Sequence, residues 1–262
     1  MFPIRDHNPS GRTPYVTIAL IAVNIAVFLS YWHLFSNPPA LMRFYVDYAL
    51  IPAWPQPHSF VTSMFLHGGF WHIAGNMLFL WIFGDNLEDV MGRLGFLAFY
   101  IASGLGAAAL QMLSEPGSNV PMVGASGAIA GVMGGYLLLF PKARVDILII
   151  LVIFFRIFPI PAWVMLGLWF ALQLVSGIGA TPGTGGVAYW AHAGGFIVGL
   201  VLAIPVWQRR GGPAFWRSTQ GHPPHPEAAY RIARTSIPQT GKRPTRSGSP
   251  WRKSRIPPHS RR

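Results

Sequence analysis

The sequence predicts an all-α, polytopic membrane protein, a bundle of six transmembrane helices. Three observations carry that expectation. Of 262 residues, 52% are hydrophobic and only 11% are charged, where a soluble domain holds about 25% charged residues. The apolar residues are gathered in long uncharged runs of the length a bilayer needs. The net charge of +12 is a property of one end: from Gln208 onward thirteen Lys/Arg face one acid, Glu227, while residues 1–207 hold seven basic and seven acidic groups. A neutral body with a basic tail is not a nucleic-acid-binding chain, so no nucleic-acid partner is expected. The absence of cysteine removes any disulfide framework, Cys-ligated metal or Cys nucleophile.

Met1–Pro14 is short and polar, with Arg5 and Arg12. Tyr15–Trp32 is the first span. It lacks a small-x-small cleavage site and further spans follow, so it reads as a retained helix and not a signal peptide. His33–Phe65 carries Pro38, Pro39, Pro52, Pro55 and Pro57, a density that argues against one continuous helix. Its aromatics Phe44, Tyr45, Tyr48 and Trp54 suit the membrane–water interface. The second span is Phe70–Phe83, begun near Gly69 and closed between Gly84 and Gly92. The third is Leu94–Leu113, and Ser114–Val123 is a turn with Pro116, Gly117, Asn119 and Pro121. The fourth is Ser126–Phe140, stopped by Pro141 and Lys142.

Arg144–Ile160 is strongly apolar but bracketed by Arg144, Asp146, Arg156, Pro159 and Pro161; it reads as a short interfacial or re-entrant segment. The fifth span is Pro161–Ser176, with Pro161 near the first turn, where proline is tolerated. Gly177–Gly186 is a glycine-rich loop, and Val187–Val206 is the sixth span. Gln208–Arg262 is rich in Pro, Arg, Gly and Ser and buries too little apolar surface to offset chain entropy, so it should be largely disordered. The chain thus divides into a short cytoplasmic N-terminus (1–14), a membrane domain (15–207) and a basic cytoplasmic tail (208–262).

Orientation follows from Lys/Arg placement. With six spans both termini share a side, which holds Arg5, Arg12, Arg93, Lys142, Arg144, Arg156 and the tail; the other side holds only Arg43. Both termini are therefore expected in the cytoplasm. The basic tail can also touch anionic lipid, at about 1 kcal/mol per juxtamembrane basic residue.

Polar side chains at membrane depth are costly and point to function. His72 and Asn76 lie four apart, on one face of the second span. Ser126 opens the fourth span and His192 lies near the start of the sixth. Even-numbered spans all begin on the non-cytoplasmic side, so topology alone brings these four residues to similar depth. Taken singly, Ser126 is an ordinary helix N-cap, His192 a structural histidine, and His72 and Asn76 interhelical hydrogen-bonding groups. Together they have the parts of a hydrolytic site. Ser126 is the nucleophile and His192 the base that takes its proton and later gives it to the leaving amine. No Asp or Glu lies near His192, so a dyad is expected and not a triad. The Asn76 amide, the His72 imidazole and backbone N–H groups around Ser126 are suited to an oxyanion, and Gly124 lets that loop approach a substrate backbone. His67 and Gly127 stand in supporting positions. Gly127, Gly131 and Gly135 form one glycine face and Gly195 and Gly199 another, which would let the helices bearing Ser126 and His192 pack closely. Asp85, Glu88 and Asp89 fall at the cytoplasmic end of the second span as solvated or bracing charges.

At these residues the chain resembles the rhomboid family of intramembrane serine proteases. The match is His67-x4-His72-x3-Asn76, then Gly124-Ala125-Ser126-Gly127, then Ala191-His192-Ala193-Gly194-Gly195-x3-Gly199, over residues 15–207. The resemblance implies a six-helix bundle with a water-filled cavity open to the non-cytoplasmic side. It implies Ser126 as nucleophile, His192 as base, and His72 and Asn76 as oxyanion donors. Transmembrane helices with a locally unstable segment would be the substrates, and neither metal nor organic cofactor is implied. Two positions depart from the pattern of some members. A Trp-Arg pair in the first long loop is here His58 and Ser59, and an aromatic four residues after the nucleophile is here Ala130, so another residue must pack His192.

Other readings fit less well. A catalytically inactive relative that binds transmembrane clients would usually lack Ser126 or His192. A channel or transporter would want carboxylates at the membrane centre or a repeat between halves. A metalloprotease would want HExxH, and His67 and His72 fall on different helix faces for a metal. No span carries the paired carboxylates of an aspartyl protease. The compact six-span form suggests a bacterial plasma membrane.

Overall fold

The computed structural model describes residues 2–228 except 152–153 and 182–184. The elements are β1 (Phe2–Asp6), α1 (Tyr15–Tyr31), α2 (Pro38–Tyr48), α3 (Ser59–Thr62), α4 (Phe70–Met91), α5 (Arg93–Ser114), α6 (Ser126–Leu139), β2 (Arg144–Leu151), β3 (Phe154–Pro161), α7 (Ala162–Gly179), α8 (Tyr189–Arg209) and α9 (Pro213–Thr219). The chain is mostly helical. Four stretches are long and apolar enough to cross a membrane: Tyr15–Ser36, Arg93–Ser114, Ala162–Gly179 and Tyr189–Arg209. α6 is apolar but has only 14 residues, about 21 Å of helix against a hydrocarbon core of about 30 Å. It is almost wholly buried among its neighbours, so its length is set by protein and not by lipid.

Successive long helices run in opposite directions. The first turn of α1 lies at the last turns of α4, where the Glu88 carboxylate accepts hydrogen bonds from Val16 N–H (3.0 Å), Thr17 N–H (2.8 Å) and Thr17 Oγ1 (2.9 Å). Pro14, at the N-cap of α1, supplies no capping side chain, and Glu88 satisfies those orphan donors from another helix. The far end of α1 delivers Tyr31 to His67, just before α4. α4 then turns into α5 across Gly92 alone, whose φ of +73° is the left-handed conformation that glycine adopts without a Cβ clash.

Three features differ from the sequence reading. First, the fold is not purely α: Arg144–Ile160 is not re-entrant but a β-hairpin, and β1 joins it in an antiparallel sheet of order β1-β2-β3. The run is rich in β-branched isoleucine, and Arg144 and Asp146 alternate with apolar residues as a half-buried strand requires. Pro159 and Pro161 fall on β3, and Pro3 on β1, the two edge strands, where a missing N–H is tolerated. Asp146 holds β2 to the segment of β1 through Arg5 (2.7 Å) and His7 (2.7 Å). Second, the proline-rich loop contains α2, started by Asn37, whose Oδ1 accepts from Ala40 N–H at 3.3 Å. Third, the chain from Gln208 to 228 is packed and not disordered. Phe215 is buried, Trp216 Nε1 donates to Leu138 O at 2.9 Å, and Ala228 N–H donates to His7 O at 2.7 Å. The expected disorder of the remaining tail falls on 229–262, outside the described residues.

Asp6 is the buried pivot of this end. Its Oδ2 accepts from Asn86 Nδ2 of α4 at 2.7 Å and from the Tyr136 hydroxyl of α6 at 3.2 Å, so one carboxylate ties β1 to two helices. Burial raises its pKa to about 6, against the opposing pull of the Tyr136 and Asn86 hydrogen bonds. The folded state therefore binds the Asp6 proton more tightly than the unfolded chain, and stability from this group falls as pH rises from about 4 to about 6. Asp6→Asn keeps an oxygen for both donors and removes the charge. Its thermal unfolding midpoint in detergent should exceed the parent's above pH 6, by an increment worth about 1–3 kcal/mol, and match it near pH 4. An equal shift at both pH values would contradict the buried-charge account.

Candidate active site

Ser126 and His192 stand in the first turns of α6 and α8. Their separation is fixed by how closely those helices meet. A Cβ added at Gly195 would collide with the Gly127 carbonyl oxygen, one at Gly199 with the Gly131 carbonyl, and one at Gly134 with the Phe196 carbonyl. The absent side chains of Gly127, Gly131 and Gly135 make room instead for α5, at Ala107, Ser103 and Phe99. The two glycine faces thus do different work: that of α8 admits the α6 backbone, and that of α6 admits α5. Gly127 supports the site through this packing.

Across that contact Ser126 Oγ lies 2.8 Å from His192 Nε2. Ser126 is not a cap, since Ala125 holds the N-cap position and no side chain caps the helix. His192 Nδ1 faces Gln173 Oε1 of α7 at 2.8 Å. The Gln173 amide nitrogen donates to Trp169 O at 3.4 Å, and a carbonyl can only accept, so the oxygen is the atom turned to His192. Nδ1 then carries the proton and Nε2 offers its lone pair to the serine. The Trp169 ring lies 5.8 Å from the imidazole, inclined by 32°; this is the residue that packs His192 where Ala130 cannot. α8 lacks a capping side chain of its own, and Gln111 of α5 supplies one, its Oε1 accepting from Ala191 N–H at 3.1 Å.

His72 and Asn76 face the same cavity, of about 660 Å3, which Gly124, Ser126, Trp169 and His192 also line. Gly68 N–H donates to His72 Nδ1 at 3.2 Å, so in the neutral ring Nε2 carries the hydrogen and points a donor away from Gly68. Asn76 is buried, and its Nδ2 has no hydrogen-bond partner among the described residues. Gly124 contributes differently from the expectation of an oxyanion donor. Its N–H is spent on Ser63 O at 2.9 Å. Its φ is +130°, and a Cβ there would sit 2.9 Å from His72 Cε1 and Nε2. Glycine at 124 therefore clears the space in which the His72 donor stands. The free backbone donor is better sought at Ser126, an N–H in the first turn of a helix with no acceptor one turn back.

His67 is fully buried and packs edge-on against His72, with centroids 5.2 Å apart. The Tyr31 hydroxyl accepts from His67 N–H at 2.6 Å and donates to His67 O at 2.9 Å, and the Tyr45 hydroxyl also donates to that oxygen at 3.1 Å. His67 is thus a support to His72, anchored through its backbone. The first loop, without a Trp-Arg pair, is held by His58 Nε2 on Asp47 O (2.7 Å), Ser59 Oγ on Gln56 O (2.7 Å) and Thr62 Oγ1 on Tyr48 O (2.6 Å).

Residues 55–209 match the Rhomboid domain. This chain belongs to the rhomboid family. Among curated relatives, the yeast protein "Rhomboid protein 1, mitochondrial" is 32% identical over 191 residues, covering 70% of this chain and 51% of the relative. "Rhomboid-like protein 11, chloroplastic" of Arabidopsis thaliana is 35% identical over 112 residues, 43% of this chain and 38% of the relative. The human "Presenilin-associated rhomboid-like protein, mitochondrial" is 28% identical over 131 residues, 49% of this chain and 34% of the relative. The chain spans about half or less of the length of these relatives. Their names place them in mitochondria and chloroplasts, so the expected bacterial plasma membrane finds no support in them.

Within this rhomboid domain the structure brings Ser126, His192, His72 and Asn76 to one cavity that Gly124 and Gly127 also line, with His67 behind them. The sequence reading missed Gln173 and Gln111. The signal was present, since each is an amide side chain in an otherwise apolar span. If backbone contact sets the site, Gly195→Ala should lower the unfolding midpoint by an amount worth about 1–3 kcal/mol. Gly167→Ala on α7, where a Cβ meets nothing within 4 Å, should be neutral or stabilising. Equal effects would mean that helix propensity, and not helix contact, governs both.

Proposed function

We propose that this rhomboid is an intramembrane serine endopeptidase that hydrolyses peptide bonds in or near transmembrane segments of other membrane proteins. One observation carries the reading: the 2.8 Å contact between Ser126 Oγ and His192 Nε2, made between two helices at the wall of a cavity. The Gln173 carbonyl oxygen keeps the proton on Nδ1, so Nε2 accepts the Ser126 proton as Oγ attacks the scissile carbonyl carbon. Negative charge then develops on the carbonyl oxygen. His72 Nε2–H, Asn76 Nδ2–H and the Ser126 N–H are the available donors. Collapse of the tetrahedral adduct expels the amine, which takes the proton from His192. Water, activated by the same imidazole, releases the acyl group from Ser126.

In this reading residues 15–207 form the membrane domain, and α1, α4, α5, α6, α7 and α8 are six spans that leave both termini on one side. The alternation of helix direction and the excess of Lys/Arg on the terminal side support it. The unmet Asn76 amide supports the oxyanion role, because a buried donor without a partner is otherwise costly.

The test is cleavage of a single-pass transmembrane substrate by purified protein in liposomes. Ser126→Ala and His192→Ala should each remove cleavage while unfolding like the parent. Unchanged cleavage by Ser126→Ala would refute the serine mechanism. Failure of the parent on several helix-unstable substrates would favour an inactive, client-binding rhomboid.

Gln173 gives a sharper prediction. Gln173→Ala should lower kcat about 10–100-fold with KM little changed, since it frees the imidazole to adopt the wrong tautomer without touching substrate. Gln173→Glu should restore much of the rate and move the acidic limb of the pH–rate profile upward, because a carboxylate beside Nδ1 favours the imidazolium. A KM effect alone, or an unmoved profile, would assign Gln173 to packing.

A further inference from the structure

A second cavity lies at the opposite end of the molecule from Ser126. α5 and α8 meet closely near the catalytic end: a Cβ on Gly106 would lie 2.6 Å from Val198 Cγ2, and one on Gly194 2.6 Å from Leu110 Cβ. Toward the end of the chain termini that contact opens. A Cβ on Gly95 would meet nothing of α8 within 4 Å, only Met91 at the end of α4, at 3.5 Å. There a groove of about 390 Å3 runs between Gly95, Ala98 and Ala102 of α5 and Leu202 and Val206 of α8, within the range of about 300–1,000 Å3 typical of ligand sites. Its walls are apolar, and Gly95, Ala98 and Leu202 are exposed on the outside of the bundle.

Two cations close one end of this groove. Arg209 and Arg210, at the C-terminus of α8, line it together with Val90 and Met91. Arg210 Nη2 donates to Val90 O at 2.5 Å, one of the orphan carbonyls in the last turn of α4. That bond holds the Arg210 guanidinium at the mouth, and it is the one side-chain hydrogen bond Arg210 makes among the described residues. Arg209 is exposed and makes no ion pair among the described residues. No carboxylate lines the groove.

We propose that this groove binds an anionic phospholipid, with the phosphate on Arg209 and Arg210 and an acyl chain along Gly95, Ala98 and Ala102. Guanidinium groups bind phosphate through paired N–H donors, and basic pockets between spanning helices at the membrane surface suit acidic headgroups. Water is a poor occupant of the stretch along Gly95, Ala98 and Ala102, where the side chains offer it no polar partners. A transmembrane helix from another protein is a poor occupant too. Lys and Arg flank such helices on the cytoplasmic side, so its basic end would meet Arg209 and Arg210. The inference rests on the membrane reading of the chain but not on its catalysis.

The experiment measures lipid retained by the purified full chain, using native mass spectrometry from mixed micelles that contain phosphatidylglycerol or phosphatidylcholine. One phosphatidylglycerol per chain should be retained in preference to phosphatidylcholine. Arg209→Ala, which leaves the Arg210 bond to Val90 in place, should weaken retention about fivefold. Ala98→Leu fills the groove without changing charge and should abolish retention while unfolding at the parent's midpoint. Inorganic phosphate at millimolar concentration should neither displace the lipid nor shift the midpoint, which separates a lipid site from a phosphate site. Equal retention of the two lipids, displacement by phosphate, or full retention by a folded Ala98→Leu would overturn the proposal.

Discussion

Everything at the candidate site depends on two helix backbones touching. In lipid there is no hydrophobic drive to bring helices together, so association rests on close packing and hydrogen bonds. Here the Gly127 and Gly131 carbonyls occupy the space that side chains at 195 and 199 would need. Ser126 and His192 sit one residue before and three residues before the glycines of that seam, so their reach to each other is inherited from it. Loops do not set the distance. The same seam explains why α6 is short. Hemmed in by α4, α5, α7 and α8, it is apolar on every face, and a helix walled off from lipid by its neighbours need not match the bilayer.

The two ends of the bundle use their buried polar groups for different things. At the end holding the chain termini, buried carboxylates tie elements together. Glu88 takes three hydrogen bonds from α1, Asp6 two from α4 and α6, and Asp146 one each from Arg5 and His7. These contacts staple β1, the hairpin and the helix ends together. At the cavity end the Asn76 amide nitrogen is left without a partner, and Gly124 is shaped to leave room beside His72. Buried polar groups are almost always paired, and on a residue that lines the cavity an unpaired amide suits the oxyanion role proposed for Asn76.

Much of this was legible in the sequence because lipid makes polar residues conspicuous. His72, Asn76, Ser126 and His192 stand out against apolar spans, and helix direction sorts them to one depth. Most boundaries of the long helices were equally readable from Gly, Pro and charge at their ends, but α4 continues past the expected Phe83 to Met91, through Gly84, Asp85, Glu88 and Asp89. What was not legible depends on tertiary partners. Glu88 and Gln111 cap helices other than their own, and no local pattern records a cap supplied from elsewhere. Arg144–Ile160 is apolar and β-branched, a run whose period does not separate strand from buried helix; only pairing with β1, over 130 residues away, fixes it as a hairpin. Phe215 and Trp216 fold the chain after Gln208 back onto α6, but composition averaged over a Pro- and Arg-rich tail hides two anchoring aromatics.

In the proposed mechanism, Gln173 shows what a membrane setting changes in serine chemistry. In water-soluble serine hydrolases a carboxylate orients the base and stabilises its imidazolium. Beside His192 such a carboxylate would be a charge in a half-buried site within lipid, at a desolvation cost of several kcal/mol unless fully paired. An amide oxygen performs the first task, fixing the tautomer, at no charge, and its dipole performs part of the second. The Trp169 ring, whose face is electron-rich, lies beside the same imidazole and favours its cationic form as a cation–π partner. A neutral dipole and a ring on one helix, α7, thus divide the work of one buried anion. The division requires α7 to stay packed on α8, through the Phe170–Phe196 stack with centroids 4.6 Å apart. α7 is the least buried of the helices that touch the site, so the orientation of His192 depends on the helix most open to lipid.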